Sequence, residues 1–141
     1  MKVFKIFGWL LLLLLMQGCS NPSKIESMHS SNHASVIETI PDSIVQFLIG
    51  SAATDFRTHQ PPTATDFRNV KIGYIKSTDN QKIYILCGEF LSKENKEWLE
   101  FATIKTSGYE QYIGKTQYCE DAVVVLGDAK LGLDLKNKLI E

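Results

Sequence analysis

The chain has 141 residues, 44% of them hydrophobic and 22% charged, which is the size and make-up of one globular domain rather than two. A formal net charge of −1 and a sequence pI near 6.3 argue against a nucleic-acid binder that works by neutralising phosphates. They give no support to a polybasic membrane-surface protein either.

The opening, MKVFKIFGWLLLLLLMQGCS, places Lys2 and Lys5 before an apolar run from Ile6 to Met16 that only Gly8 interrupts. A short positive region followed by such a run is the layout of a secretory signal peptide, and the run falls short of the ~20 residues that span a bilayer. Gly18 directly before Cys19 resembles the lipobox of bacterial lipoproteins, although Met16 stands three places before the cysteine where Leu is usual. The resemblance covers residues 1–20 only. It implies cleavage after residue 18, a diacylglycerol thioether on Cys19 and a fatty acyl group such as palmitate on its amine, enough chains for stable anchoring. The alternatives are an uncleaved anchor helix or an ordinary signal peptide with a coincidental cysteine. Ser20 follows the cysteine and no Asp stands there, so in a diderm host the expected location is the outer membrane, facing the periplasm. Cleavage would leave 13 basic and 16 acidic residues in a mature chain of 123 residues.

Residues 19–35 read as the modified cysteine and a flexible, Ser-rich tether. His29 and His33 have the i, i+4 spacing of metal ligands on a helix, but nothing nearby supplies further ligands, so no metal is expected. The folded domain is expected over 36–141. Ile40, Ile44, Leu48, Ala52 and Phe56 recur every four residues with Val45, Ile49 and Ala53 beside them, which predicts an amphipathic helix. Pro41 suits its first turn, Gly50 suggests close packing at mid-helix, and Pro61-Pro62 should lie beyond its end. A five-residue segment, Ala53-Thr54-Asp55-Phe56-Arg57, recurs as Ala64 to Arg68, one copy ending the helix and the other starting a strand.

Residues 66–107 read as strands. Val70–Ile75, Lys82–Leu91 and Trp98–Thr106, separated by the polar segments Thr78–Gln81 and Lys93–Glu97, predict a three-stranded antiparallel meander. Tyr109–Gly114 reads as a helical turn or an ordered loop, and Val123–Leu126 is a candidate fourth strand. Beyond Ala129 the leucines at 131, 133 and 135 alternate as in a strand, while Leu135 and Leu139 with Lys136 and Lys138 suit a helix. The fold class expected is α+β: an N-terminal amphipathic helix packed on a small antiparallel sheet. With Cys19 lipidated, Cys87 and Cys119 remain in an oxidising compartment, the arrangement for one disulfide closing a loop of about 33 residues. Two separately buried thiols are the alternative.

No HExxH, GxSxG, P-loop or GxGxxG motif is present. His59, the lone histidine in the domain, reads as a solvent-exposed loop residue, and Glu89 and Glu110 read as solvated surface groups in preference to a glycosidase carboxylate pair. No enzyme, cofactor or metal is expected. The stretch Thr103–Tyr112 joins hydroxyls, charges and tyrosines around Gly108, the composition of a protein-recognition edge, and its candidate residues are Lys105, Tyr109, Glu110 and Tyr112. Trp98 reads as core in preference to an exposed anchor. The expected function is a lipid-anchored envelope protein that binds an envelope partner, as an accessory subunit of a secretion or conjugation type of assembly. The alternatives are a periplasmic inhibitor or immunity protein acting on a cell-wall hydrolase, and a small-ligand binder or enzyme.

Overall fold

The computed structural model describes residues 39–59 and 62–141. The expected signal peptide 1–18, the expected lipidation site Cys19 and the expected tether with His29 and His33 lie outside the described residues. Helix α1 spans Asp42–Thr58 and starts immediately after Pro41, whose carbonyl accepts from the N–H groups of Ile44 and Val45. Its apolar stripe buries Val45, Leu48, Ile49, Ala52, Ala53 and Phe56. Gly50 does not mark a close approach: nothing lies within 4 Å of where its Cβ would be, so it only loosens the helix.

The strands are β1 (Ala64–Lys76), β2 (Lys82–Ser92), β3 (Trp98–Lys105), β4 (Tyr109–Ile113) and β5 (Val123–Gly127). All neighbours pair antiparallel, in the order β4-β3-β2-β1-β5. The meander therefore has four strands, not three: Tyr109–Ile113 is neither helical turn nor loop but an edge strand, with Tyr109 opposite Lys105 and Tyr112 opposite Ala102. β5 returns from the chain's end to pair with β1, the first strand. Gly73 lets it do so, because a Cβ there would stand 2.8 Å from the Val123 carbonyl oxygen. Between β4 and β5 lies the short helix α2 (Gln117–Asp121), capped by the Thr116 hydroxyl.

The C-terminal tail is helix α3 (Ala129–Ile140), begun by Asp128, whose carboxylate accepts from the Leu131 N–H at 3.0 Å. The 3.6-residue turn puts Leu131 and Leu135 in the core and leaves Leu133 outside, 57% exposed, so the alternating leucines mislead. One helix is thus not the whole cover of the sheet. α1 and α3 share that layer, and α3 approaches β1 closely at Gly132. Between layers, Phe56, Phe67, Phe90 and Phe101 interlock, with Phe56 standing 5.3, 4.9 and 5.2 Å from the other three ring centroids. The two phenylalanines of the repeated segment therefore meet in the core.

Strand alternation sends a second set of side chains to the opposite, outer face. There Ile85, Cys87, Ala102 and Ile104 form a smaller buried cluster, and Cys87 is bonded to Cys119 of α2. α2 has no buried residue of its own. The fold is α+β, an open five-stranded antiparallel sheet with helices and one disulfide. None of the described helices is long and apolar enough to cross a membrane.

Candidate functional site

The outer face of the sheet is only partly covered. α2 lies over one region of it, and beside α2 opens a cleft of about 310 Å³ lined by both disulfide cysteines, by Asn69, Lys71, Glu89 and Glu100 from the strands, and by Lys115 and Glu120. The register explains why charges meet here: Glu89 of β2 sits directly opposite Glu100 of β3 and Arg68 of β1. Two adjacent carboxylates repel, and the structure relieves this by committing one of them.

Glu89 accepts from Arg68 Nε at 2.9 Å and Nη2 at 2.5 Å through one oxygen, and from Asn69 Nδ2 at 2.7 Å through the other. The Asn69 amide and then the Arg68 guanidinium hold its carboxyl below the usual carboxylate range. Asn69 takes a left-handed backbone, φ 54°, where β1 slips its register against β2 between Arg68 and Lys71. Asn tolerates that region better than most residues, and such a bulge turns a strand and re-aims its side chains. The Arg68 guanidinium lies 4.2 Å from the Trp98 ring centroid, so Trp98 is not core; it is half-buried beneath a cation on the outer face. Lys115 binds Glu120 at 2.6 Å, and that contact raises its pKa. The Lys71 side chain makes no hydrogen bond or ion pair with another described residue.

Of the sequence-predicted recognition residues, Glu110 and Tyr112 face this outer side. The Tyr112 hydroxyl donates to Glu110 Oε2 at 2.6 Å, and that carboxylate pushes the phenol up to about 12. Tyr112 also stacks with Tyr118 of α2, centroids 5.7 Å apart, and the two rings remain 36% and 40% exposed. Lys105 and Tyr109 belong to the same edge but to the other side. The Lys105 ammonium lies 4.7 Å from the Phe47 ring of α1, and Tyr109, half-buried, has its phenol pKa raised by burial and by Asp55 of α1. The four candidates, Lys105 on β3 and the others on β4, thus divide two and two between the faces of the sheet.

Glu89 and Glu110 are not brought together. They stand two strands apart, about 10 Å, and their positions opposite Glu100 and Ile104 of β3 add about 13 Å along the strand, well beyond a glycosidase pair. His59 caps the C-terminal end of α1, its Nδ1 2.9 Å from Asp55 Oδ1 and its side chain 75% exposed. No group of three or more His, Cys, Asp or Glu among the described residues is placed to hold a metal ion. Sequence reasoning missed Asn69, Glu100, Tyr118 and Lys115. An Asn immediately before an apolar strand segment was the one available signal for the bulge, whereas the pairing of Tyr118 with Tyr112 follows from the disulfide. The chain matches no protein-family model, no curated protein and no solved structure.

Proposed function

We propose that this is a lipid-anchored envelope protein, held to a membrane through acylated Cys19, that works as a protein-binding module of a secretion or conjugation type of assembly. Its docking surface is the outer face of the sheet at the β4 and α2 end, with Glu110, Tyr112 and Tyr118 as contacts. The observation that supports this reading is the asymmetry of the sheet. One face is sealed by α1 and α3, while the other presents exposed tyrosines, Arg68 over Trp98 and charged groups fixed by bonds within the molecule. Aromatic and Arg side chains already held in one geometry lose little conformational entropy when a partner arrives, which is what binding hot spots need. The anchor reading rests on residues 1–20, and an oxidised Cys87–Cys119 bond suits an extracytoplasmic compartment.

The test is crosslinking in living cells with a photoreactive residue at Tyr118 and, as control, at Leu133, which is exposed on the opposite helical layer. One discrete adduct from position 118 and none from 133 is the expected result. Equal adducts from both, or none, would overturn the docking face. Cys19→Ser should abolish lipid labelling; a membrane-retained, unlabelled protein with wild-type behaviour would overturn the anchor.

A further inference from the structure

We infer that the Tyr112–Tyr118 pair, with Glu110 and Glu100, is a receptor for one arginine side chain of the docking partner. This inference rests on the protein-binding reading above and names the chemistry of the partner.

The argument starts from a unit the same sheet already contains. On the outer face Arg68 lies flat over Trp98, 4.2 Å from the ring centroid, and forks onto the Glu89 carboxylate at 2.9 and 2.5 Å. A guanidinium is planar, stacks on an aromatic face and donates in parallel to one carboxylate, which an ammonium does less well. Two further rings of the described residues also carry a cation: Lys82 lies over Tyr74 at 4.6 Å and Lys105 over Phe47 at 4.7 Å.

The Tyr112–Tyr118 pair repeats the aromatic and acidic parts of the Arg68 unit without the arginine. Its two rings, centroids 5.7 Å apart and tilted by 43°, lie against each other with their outer surfaces partly exposed, and no Lys or Arg of the described residues stands over either. Glu110 lies on the same side as Tyr112 and accepts a hydrogen bond from its hydroxyl. That bond enriches the ring in electrons and strengthens its attraction for a cation. Glu100 projects from β3 two residues from Ala102, the cross-strand partner of Tyr112, so it is the diagonal neighbour of that ring. The charge at this end is only partly compensated: Lys115, its pKa raised first by Glu120, also feels Glu100, and Lys71 lines the same cleft. Lys115 is bound to Glu120 and Asp121 accepts from Gln117, which leaves Glu100 and Glu110 with no basic side chain bonded to them. An arginine arriving from a partner would stack on the tyrosines and fork to a carboxylate, completing the arrangement that Arg68, Trp98 and Glu89 make internally.

The probe is a blocked tripeptide, acetyl-Gly-Arg-Gly-amide, titrated into the full chain purified in detergent and followed by NMR shifts of the tyrosine rings and of the β4 and α2 amides. Its counterpart carries citrulline, which has the shape of arginine without the charge. The expected result is weak saturable binding of the arginine peptide with shifts confined to Tyr112, Tyr118, Glu100 and Glu110. The citrulline peptide should bind at least roughly fivefold more weakly, and Glu100→Gln with Glu110→Gln, or Tyr112→Leu, should each weaken arginine binding roughly two- to fivefold. Equal binding of the two peptides, or arginine shifts that spread over the acidic surface and survive these variants, would overturn the inference. The crosslinking test separates the two proposals. An adduct at position 118 that persists in the double Gln variant, with no peptide selectivity, leaves docking standing and removes the arginine receptor. Selective peptide binding with no adduct in cells does the reverse.

Discussion

The two faces of this sheet are held by different forces. On the helix side, order comes from volume: Leu48, Ile72, Leu86, Phe90 and Leu135 have no exposed surface, and four phenylalanine rings interlock. On the outer side, order comes from connection: one disulfide, a carboxylate held at both oxygens, a hydroxyl cap and a stacked tyrosine pair. Apolar burial supplies most of the free energy but is indifferent to direction, whereas a few bonds of modest worth aim particular groups. A small domain that must both fold and present a defined surface can divide those tasks between its two faces.

The sharpest way to break this contrast is to empty the helix side. Phe90→Ala should cost about 3–5 kcal/mol in denaturant unfolding, because a fully buried ring leaves a cavity that the cluster closes only in part. A loss below about 1.5 kcal/mol would show that the aromatic cluster is loosely packed. Next comes the bond that places α2. Cys87→Ala and Cys119→Ala should each lower stability by about 3–4 kcal/mol, since either removes the same loop constraint. In both variants hydrogen exchange should show α2 losing protection before α1 does; unequal losses, or simultaneous ones, would deny that α2 depends on the disulfide. A third pair of changes tests backbone fit. Gly73→Ala should destabilise by about 1–3 kcal/mol by pushing β5 off β1, while Gly50→Ala, with open space around it, should stabilise by about 0.5–1 kcal/mol. The same sign for both in thermal unfolding would contradict the packing described.

The smallest effect concerns a polar brace at the start of β1. The Glu94 carboxylate accepts from the Thr63 N–H at 3.0 and 3.2 Å and from the Ser92 hydroxyl at 2.9 Å, and hydrogen bonding from Thr63 above all lowers its pKa from 4.5 to about 2. A carboxyl whose folded pKa is depressed contributes stability that is present above its unfolded pKa and lost as pH falls through the folded one. The contribution should therefore fade between pH 4.5 and about 2, and Glu94→Gln should flatten the acid limb of a stability–pH curve in that window alone. An unchanged slope would remove the brace.

Much of the α+β arrangement was legible because its signals are periodic. The β-branched runs with polar turns between them locate β1, β2 and β3, and the two cysteines left outside the lipobox-like segment point to the one bond the structure contains. What escaped is what periodicity does not encode. The short strand Tyr109–Ile113 has mixed polarity because it lies at the sheet edge with no fully buried residue, so its sequence lacks the apolar alternation of a strand with one dry face. The α3 leucines satisfy two periods at once, and the Asp128 cap decides between them. At the site, Glu110 and Tyr112 were legible as composition, but their separation from Lys105 and Tyr109 depends on which face of the sheet each side chain leaves β3 or β4 toward. The Asn69 bulge and the Tyr118 contact are tertiary facts, set by register and by the disulfide.

The return of β5 to the outer edge of β1 has a further consequence, in time rather than in space. A chain that emerges N-terminus first, from a ribosome or a translocation pore, exposes β1 well before the segment that completes its pairing. Ile72 meets Leu126 only after 54 further residues have been delivered, and the helix that shares cover of the sheet follows later still. Long-range pairing of this kind slows folding, because the entropy of closing the loop is lost before the contacts form. Completion of the sheet and of its helical cover therefore comes late in the delivery of the chain, a delay set by connectivity and not by any single contact.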